Sequence, residues 1–433
     1  MPSNKRIDLL TLGNELLNGT RVNGHLEYIG GCLGRHGVRL QRNMSFRDEP
    51  EQIRKFFSES LEDADIIITT GGLGPTTDDN TREVIADCLG LPLEFDPSIE
   101  SAIVRRFERM GRTMSSSNLK QCYVPKGAQV LANAFGTAPG IWLEHGEKLV
   151  ILLPGPPNEL KPMFEQQVLR RLEERGLLQG AEHYLQLRTI GVGESALQDL
   201  LRPVVKRYPG LGVAFCAYEG IVDVRLSPGA SNVQAHQIQE IGDECAGILE
   251  GDFICFGHDS LAKIVFDHLR ADEKKLAVAE SCTGGLLSNA FTDLPGASKV
   301  FAGGVVCYNN DAKMELLDVP EGILLQHGAV SHETAAAMAT GAMEKFSADY
   351  ALSVTGFAGP GGGDTLNPVG SIYIGYSSPL GVWSIRMLYP GDRVAVKIRA
   401  VNRALDVIRR KLKEFKVEDA IQSMLSSPPK RFN

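Results

Sequence analysis

Short apolar runs along the chain are separated by stretches in which apolar positions recur every three or four residues. In residues 1 to about 175, IDLLTL precedes a helical pattern near Asn23 to Leu33, VRLQRNM precedes one from Glu51 to Glu62, and DIIITT precedes one from Thr81 to Leu89. Alternation of this kind predicts a parallel sheet covered by helices. The block closes with KLVILLPGPPNELKPMFEQQVLRRLEER, which passes from strand through a proline-rich turn into a helix.

From 176 to 256 the pattern changes. A strand (HYLQLRTI), a helix (SALQDLLRPVVKR), two strands (LGVAFCAY and IVDVRLS) joined at Glu219-Gly220, and a helix (NVQAHQIQEIGDECAGIL) predict a small α+β unit with an antiparallel hairpin. It carries no catalytic cluster and is expected to connect or interact. From 257 to 420, strands at LAVA, VFAGGVVCY and YALSVT again alternate with polar or glycine-rich loops. A long helix ends this block. Val394, Ile398, Val401, Leu405, Ile408, Leu412 and Phe415 form its apolar stripe, expected to be core or a dimer seam. Its cations, Lys397, Arg399, Arg403, Arg409 and Arg410 among them, are expected on solvated faces. The tail from 421 to 433, ending SSPPKRFN, is expected to fray. The predicted class is α/β throughout, with the α+β unit in the middle.

Composition narrows the function. The 433 residues suffice for about three domains, and 43% hydrophobic content supports a core in each. A formal charge of -8 argues against a protein whose main partner is nucleic acid. The eight cysteines are scattered without CxxC spacing, so they are expected to be reduced thiols. No leader pattern and no run near the roughly 20 apolar residues of a membrane span is present, which makes the cytoplasm the expected location.

Candidate chemistry begins at AESCTGGLLS, residues 279–288. A serine needs a positioned base to attack at neutral pH. No Ser-His-Asp pattern accompanies Ser281, but VVCYNNDAKMELL offers Lys313, four residues after Asn309 on one helical face with Tyr308 at its edge. A desolvated lysine loses affinity for its proton and can act as the base. Thr283, Gly284 and Gly285 lead into a helix whose free amides could hold an oxyanion or a phosphate; the plainer reading is helix capping by Ser281 or Thr283. Cys282 competes as nucleophile, since a helix N-terminus lowers a thiol pKa, but no Cys-His pair supports it.

A second loop, SVTGFAGPGGGD, has five glycines within positions 356–363. Thr355 ends its strand, and Gly356, Gly359, Gly361 and Gly362 suit an anion-binding nest rather than a simple reversal. Arg393, in YPGDR, could add a fixed positive charge. A serine-lysine pair beside a phosphate cradle suggests hydrolysis of a phosphorylated carbonyl compound.

The first block carries three strand-end loops with glycine and a carboxylate: GNELLNG with Glu15, TTGGLGPTTDDNT with Asp78 and Asp79, and LPGPPNE with Glu159. Glycines let a backbone approach phosphate, and paired aspartates could hold a divalent cation bridging phosphate oxygens. Capping of an acidic helix start is the alternative for the aspartates.

In order, AESCTGG, YNNDAK, HGAVS (327–331), VTGFAGPGGG and PVGSIYIGY resemble the carboxy-terminal domain of CinA proteins. That resemblance implies a nicotinamide mononucleotide deamidase, with Ser281 as nucleophile, Lys313 as base, Tyr308 and Thr355 in support, and no cofactor. TTGGLGPTTDD, GTAPG (136–140) and LPGPPNE resemble the molybdopterin-binding fold and, more closely, the amino-terminal domain of CinA. This implies an ADP-ribose pyrophosphatase dependent on a divalent metal (Mg, Mn or Co). Asp78 and Asp79 would be metal or catalytic groups, Gly71, Gly72 and Gly74 the phosphate turn, and Glu15, Asn23 and Lys120 further ligands. A homodimer acting on these two nucleotides is expected. A molybdopterin-nucleotide enzyme and a non-catalytic module in competence or DNA-repair assemblies are the alternatives.

Overall fold

A computed structural model describes residues 5–178, 184–229, 231 and 233–426. The end of the expected tail, 427–433, and the side chain of Phe415 lie outside the described residues. The chain divides into two compact units, Met1–Tyr184 and Leu185–Asn433.

In the first unit, strands β1 (Ile7–Leu12), β2 (Leu40–Phe46) and β3 (Ile66–Thr70) are followed by a ribbon of β4 (Leu93–Phe95) and β5 (Tyr123–Pro125), then β6 (Gln129–Leu131), β7 (Gly140–His145) and β8 (Lys148–Leu153). The main sheet runs β2-β1-β3-β8-β7-β6, its first four strands parallel. Ile7 and Leu9 join one core cluster and Leu10 and Leu12 another, so β1 is covered on both faces, as a parallel sheet under helices requires. The same alternation buries Asp8, held by Arg42 and Ser60 at 2.6–3.0 Å. The sheet departs from the all-parallel expectation at β6 and β7. His145 and Lys148 pair across Gly146-Glu147, with Gly146 at φ 59°, and a two-residue turn can join only antiparallel strands.

The second unit holds two sheets. β9 (Leu185–Ile190), β10 (Gly212–Ala217), β11 (Ile221–Ser227) and β12 (Phe253–Phe256) form an antiparallel sheet in the order β10-β11-β9-β12. β13 (Leu276–Glu280), β14 (Phe301–Val306), β15 (Tyr350–Gly356), β16 (Ser371–Ser378) and β17 (Gly381–Leu388) form the other, ordered β14-β13-β15-β16-β17. Its first three strands are parallel, while the β16–β17 hairpin is antiparallel.

The helix Arg393–Ser426 packs into the core through Val396, Ala400, Ala404, Leu405, Ile408 and Leu412. The expected stripe is correct from Val401 to Leu412 and wrong at its start, where Val394 is 64% exposed. Arg409 also departs from the expected solvated face. It is fully buried against Asp406 and donates to the carbonyls of Gly251 and Phe253, fastening this helix to the end of the middle sheet. Among the described residues no helix is long and apolar enough to cross a membrane.

Candidate functional site

Ser281 follows the last residue of β13, at the edge where the loops after β13, β14 and β15 meet. Its amide donates to the Val354 carbonyl at 2.9 Å, which fixes the serine to the neighbouring strand end. Lys313 lies in the helix Asn310–Leu317, whose N-cap is Asn309; the Asn309 side chain accepts from the Ala312 amide at 2.8 Å. This cap sets the first turn so that Lys313 points inward. Its Nζ sits 3.2 Å from Ser281 Oγ and 2.9 Å from the Cys307 carbonyl, and the side chain is 1% exposed. Burial lowers the Lys313 pKa against smaller opposing effects of Cys307 and Cys282. A neutral amine there can donate to the Cys307 carbonyl and take the serine proton with its lone pair.

The neighbouring thiol is in the opposite state. Cys282 belongs to the hydrophobic core, and burial pushes its pKa up to about 12. A thiol held in that state is a poor nucleophile at neutral pH.

Glu280, which sequence reasoning passed over, builds the turn. Completely buried, its carboxylate accepts from the amides of Gly285, Leu287 and Ser288 and from the Ser288 hydroxyl at 2.7–3.0 Å. The helix N-terminus expected to hold an oxyanion or phosphate is thus already engaged by an internal anion. This corrects the expectation for Gly285, and the Gly284 amide is spent on the Ser281 carbonyl at 3.2 Å. The Thr283 amide has no backbone acceptor among the described residues and the Cys282 amide is directed only at its own sulfur, so these two are the donors left beside Ser281. The Thr283 hydroxyl is buried and also lacks a partner there.

The glycine loop closes over the site from β15. Gly356 is required by packing, since a Cβ there would lie 2.5 Å from the Ser371 carbonyl. Gly359 and Gly362 have φ of 87° and 84°, a backbone region that favours glycine, and Gly361 is exposed to open space. Arg393 donates to the Gly359 carbonyl at 2.7 Å and to the Tyr308 hydroxyl at 2.8 Å. Tyr308 is accordingly at the exposed rim, 62% accessible. Thr355 is buried and its hydroxyl donates to the Ala329 carbonyl at 2.7 Å, so it fastens the HGAVS segment rather than touching the dyad. Lys397, one turn beyond Arg393, brings its Nζ to 3.9 Å from a Cβ placed at Gly284. Sequence reasoning had left it on a solvated face. Arg393 and Lys397 together supply the positive charge of the mouth, and both act on Cys282 from nearby.

In the first unit the loops after β1, β2, β3 and β8 enclose a cavity of about 330 Å³. Glu15, Asp48, Asp79, Glu159, Arg21 and the turn Gly71-Gly72-Leu73-Gly74 line it. Gly71 and Gly72 have φ of 101° and 67°, and a Cβ on Gly71 would lie 2.5 Å from the Leu12 carbonyl, so glycine is needed to bring this turn against β1. Asp48 was missed by sequence reasoning. One of its oxygens is buried without a partner among the described residues, and its pKa is raised to about 6 by burial and then by Glu15, Asp79 and Asp78. His25, also missed, bridges Thr70 and the Gly155 carbonyl at 2.8 Å each, tying the β3 and β8 loops together.

Several expected residues of this site have other work. Asp78 is exposed and does not line the cavity. Asp79 does, but its carboxylate also accepts from the amide and hydroxyl of Thr76. Lys120 is committed to the same loop, donating to the Thr76 carbonyl at 3.3 Å, Asn80 Oδ1 at 3.1 Å and the Asp79 carbonyl. Asn23 caps the helix Gly24–Arg35 and bridges Thr11 and Ser45 at 3.0 Å. Asp78, Lys120 and Asn23 thus stand apart from the ligand roles expected for them, while Asp79 keeps its place on the cavity wall. Among the described residues no three His, Cys, Asp or Glu side chains form a group able to hold a metal ion alone.

Comparison with known proteins covers the chain in two pieces. Residues 8–174 match the family model "Probable molybdopterin binding domain", and residues 258–412 match "CinA C-terminal domain". A CinA-like protein of Akkermansia muciniphila is 41% identical over 404 residues, covering 92% of this chain and 96% of its own. A Thermoanaerobacter pseudethanolicus protein named as competence-damage inducible is 37% identical over 419 residues, 95% of this chain and 100% of its own. Among solved structures, the competence/damage inducible protein CihA from Agrobacterium tumefaciens is 37% identical, covers 35% of this chain and 93% of its own, and gives a TM-score of 0.34.

Proposed function

The chain belongs to the CinA family, and from that premise we propose that its carboxy-terminal part is a serine amidase converting nicotinamide mononucleotide to nicotinic acid mononucleotide and ammonia. The observation that carries this reading is the buried Lys313 amine 3.2 Å from the Ser281 hydroxyl. Neutral Lys313 takes the Ser281 proton as Oγ attacks the carboxamide carbon. The resulting oxyanion is held by the amides of Cys282 and Thr283. Lys313 then gives its proton to the departing nitrogen, which leaves as ammonia. Water attacks the acyl-enzyme with Lys313 again as base, and the proton returns to Ser281 Oγ as the acid is released. Arg393 and Lys397 hold the 5′-phosphate, with the glycine loop around it.

The test is ammonia release from nicotinamide mononucleotide by the purified chain. Ser281→Ala is expected to abolish turnover, while Cys282→Ala retains it within a few-fold. Ammonia release by Ser281→Ala at the parent rate would remove the serine mechanism.

For the first unit we propose hydrolysis of the ADP-ribose pyrophosphate. A divalent ion of the Mg type commonly takes one or two carboxylates and completes its shell with water and substrate phosphate oxygens, which suits a cavity edged by carboxylates and containing an unpartnered Asp48 oxygen. One or two of the carboxylates Glu15, Asp48 and Asp79 would hold the ion, with water and substrate phosphate oxygens completing its shell, and the ion would supply charge neutralisation at the pyrophosphate when bound. Arg21 faces the same cavity and offers a fixed cation to the substrate. AMP release from ADP-ribose, measured with Mg, Mn or Co and again with chelator, tests this. No release with any of the three ions would overturn it.

A further inference from the structure

Neither proposed reaction uses a cavity of about 650 Å³ in the second unit, between the β9–β11 edge and the helix Arg393–Ser426. We propose that it is a separate binding site for a phosphorylated small molecule of mononucleotide size. Its volume lies in the range of ordinary ligand sites. Its charge is unbalanced in a specific way. Arg399 reaches the cavity from the helix, donates to the Pro390 carbonyl, and forms no ion pair among the described residues. Arg403 gives one terminal nitrogen to Asp406 at 2.6 Å, and its side chain remains 27% exposed on the cavity wall. Arg399 and the accessible end of the Arg403 guanidinium are the groups that would donate to an anionic oxygen in the cavity.

The opposing charges do not cancel this. Asp252 is already paired with Arg410 at 2.8 Å, and Glu194 is exposed at the rim. On the same cavity, the turn Gly191-Val192-Gly193 leads from β9 into the helix Glu194–Val205. Gly191 has φ 89°, and Gly193 is an N-cap with no side chain to satisfy the first amides. The glycine turn and uncapped helix start line the same cavity as the guanidinium groups; Asp252 Oδ1, 3.3 Å from a Cβ placed at Gly191, is paired with Arg410, which leaves the free amides to add to the attraction for a phosphate. Tyr218, 52% exposed, offers a flat ring at the entrance for the non-phosphate part.

A local reporter tests the proposal in the full chain. Tyr218→Trp places a fluorophore at the mouth, and the unsubstituted protein supplies the background from Trp142 and Trp383. AMP is expected to change the reporter's emission saturably, with adenosine at least tenfold weaker. Arg399→Glu in the reporter background should weaken AMP at least tenfold. Gly193→Leu, at a position with nothing within 4 Å of a Cβ and φ of -78°, should block the cavity without backbone strain. Melting temperatures of both variants establish that they are folded; if Arg399→Glu is not, Gly193→Leu alone decides. Absence of a saturable AMP response, equal binding of adenosine, or undiminished binding in a folded variant would overturn the site. None of these outcomes depends on whether Ser281 is a nucleophile.

Discussion

At the scale of single residues, the decisive quantity is the protonation state of Lys313. Its ammonium is disfavoured because burial strips its hydration, and no carboxylate ion-pairs with it among the described residues to compensate. As base it must be neutral, so kcat/KM for deamidation should rise with pH through the lowered Lys313 pKa and level off before the ordinary lysine value of 10.5. Lys313→Met should lose about 10²–10⁴-fold in kcat and the limb with it. A linked stability effect has a fixed sign. Between the lowered folded pKa and the unfolded value, the unfolded chain binds more protons, so stability rises with pH across that window and the methionine variant lacks the rise. A pH-rate profile beside urea unfolding of the parent and Lys313→Met checks both; a limb that persists in the variant would assign the titration to another group. Ser281 and Lys313 were legible because their motifs carry chemically distinctive residues. Asp48, Glu280 and Lys397 were not, because their importance arises from where distant loops place them, which no local spacing encodes.

Elements show the same division. The alternating strands and helices were readable because burial on a sheet face or helix stripe imposes a period. The β7 and β16–β17 additions were not, since an apolar strand looks alike whether its neighbour is parallel or antiparallel. The start of the helix Arg393–Ser426 misled through size. Its seam at Val396, Ala400, Ala404 and Ile408 uses small alanines that a count of large apolar residues passes over. The β13 strand end leads into Ser281, and Glu280 anchors the turn that follows it. Its carboxylate satisfies three amides and one hydroxyl at the start of the following helix. Glu280→Ala would leave those buried donors unbonded, a loss on the order of 3 kcal/mol, and loosen the turn that aims Ser281. The urea midpoint of the second unit and kcat should therefore fall together. Glu280→Gln, able to accept with one oxygen but turning an NH₂ toward amide donors, should recover only part of either. Unchanged stability in Glu280→Ala would mean that water replaces the carboxylate and that the turn is held elsewhere.

On the scale of the whole molecule, the two proposed reactions fall in separate compact units, each with its own hydrophobic clusters. The middle sheet belongs with the carboxy-terminal sheet, because the buried Arg409 and its carbonyl partners at Gly251 and Phe253 make one fabric of them. That bond joins residues more than 150 positions apart, and a cation in a helix gives no sign in the sequence of where it will be buried. Substitutions that share no partner act independently. Asp48→Asn and Asp79→Ala, which touch only loops of the first unit, should reduce AMP release from ADP-ribose while leaving deamidation within about twofold. Ser281→Ala should do the reverse. Both activities are to be measured on the same preparations of the full chain, with melting temperatures alongside. Loss of both reactions from a folded single-site variant would show that the units exchange free energy, and the two sites would then have to be treated as one coupled machine.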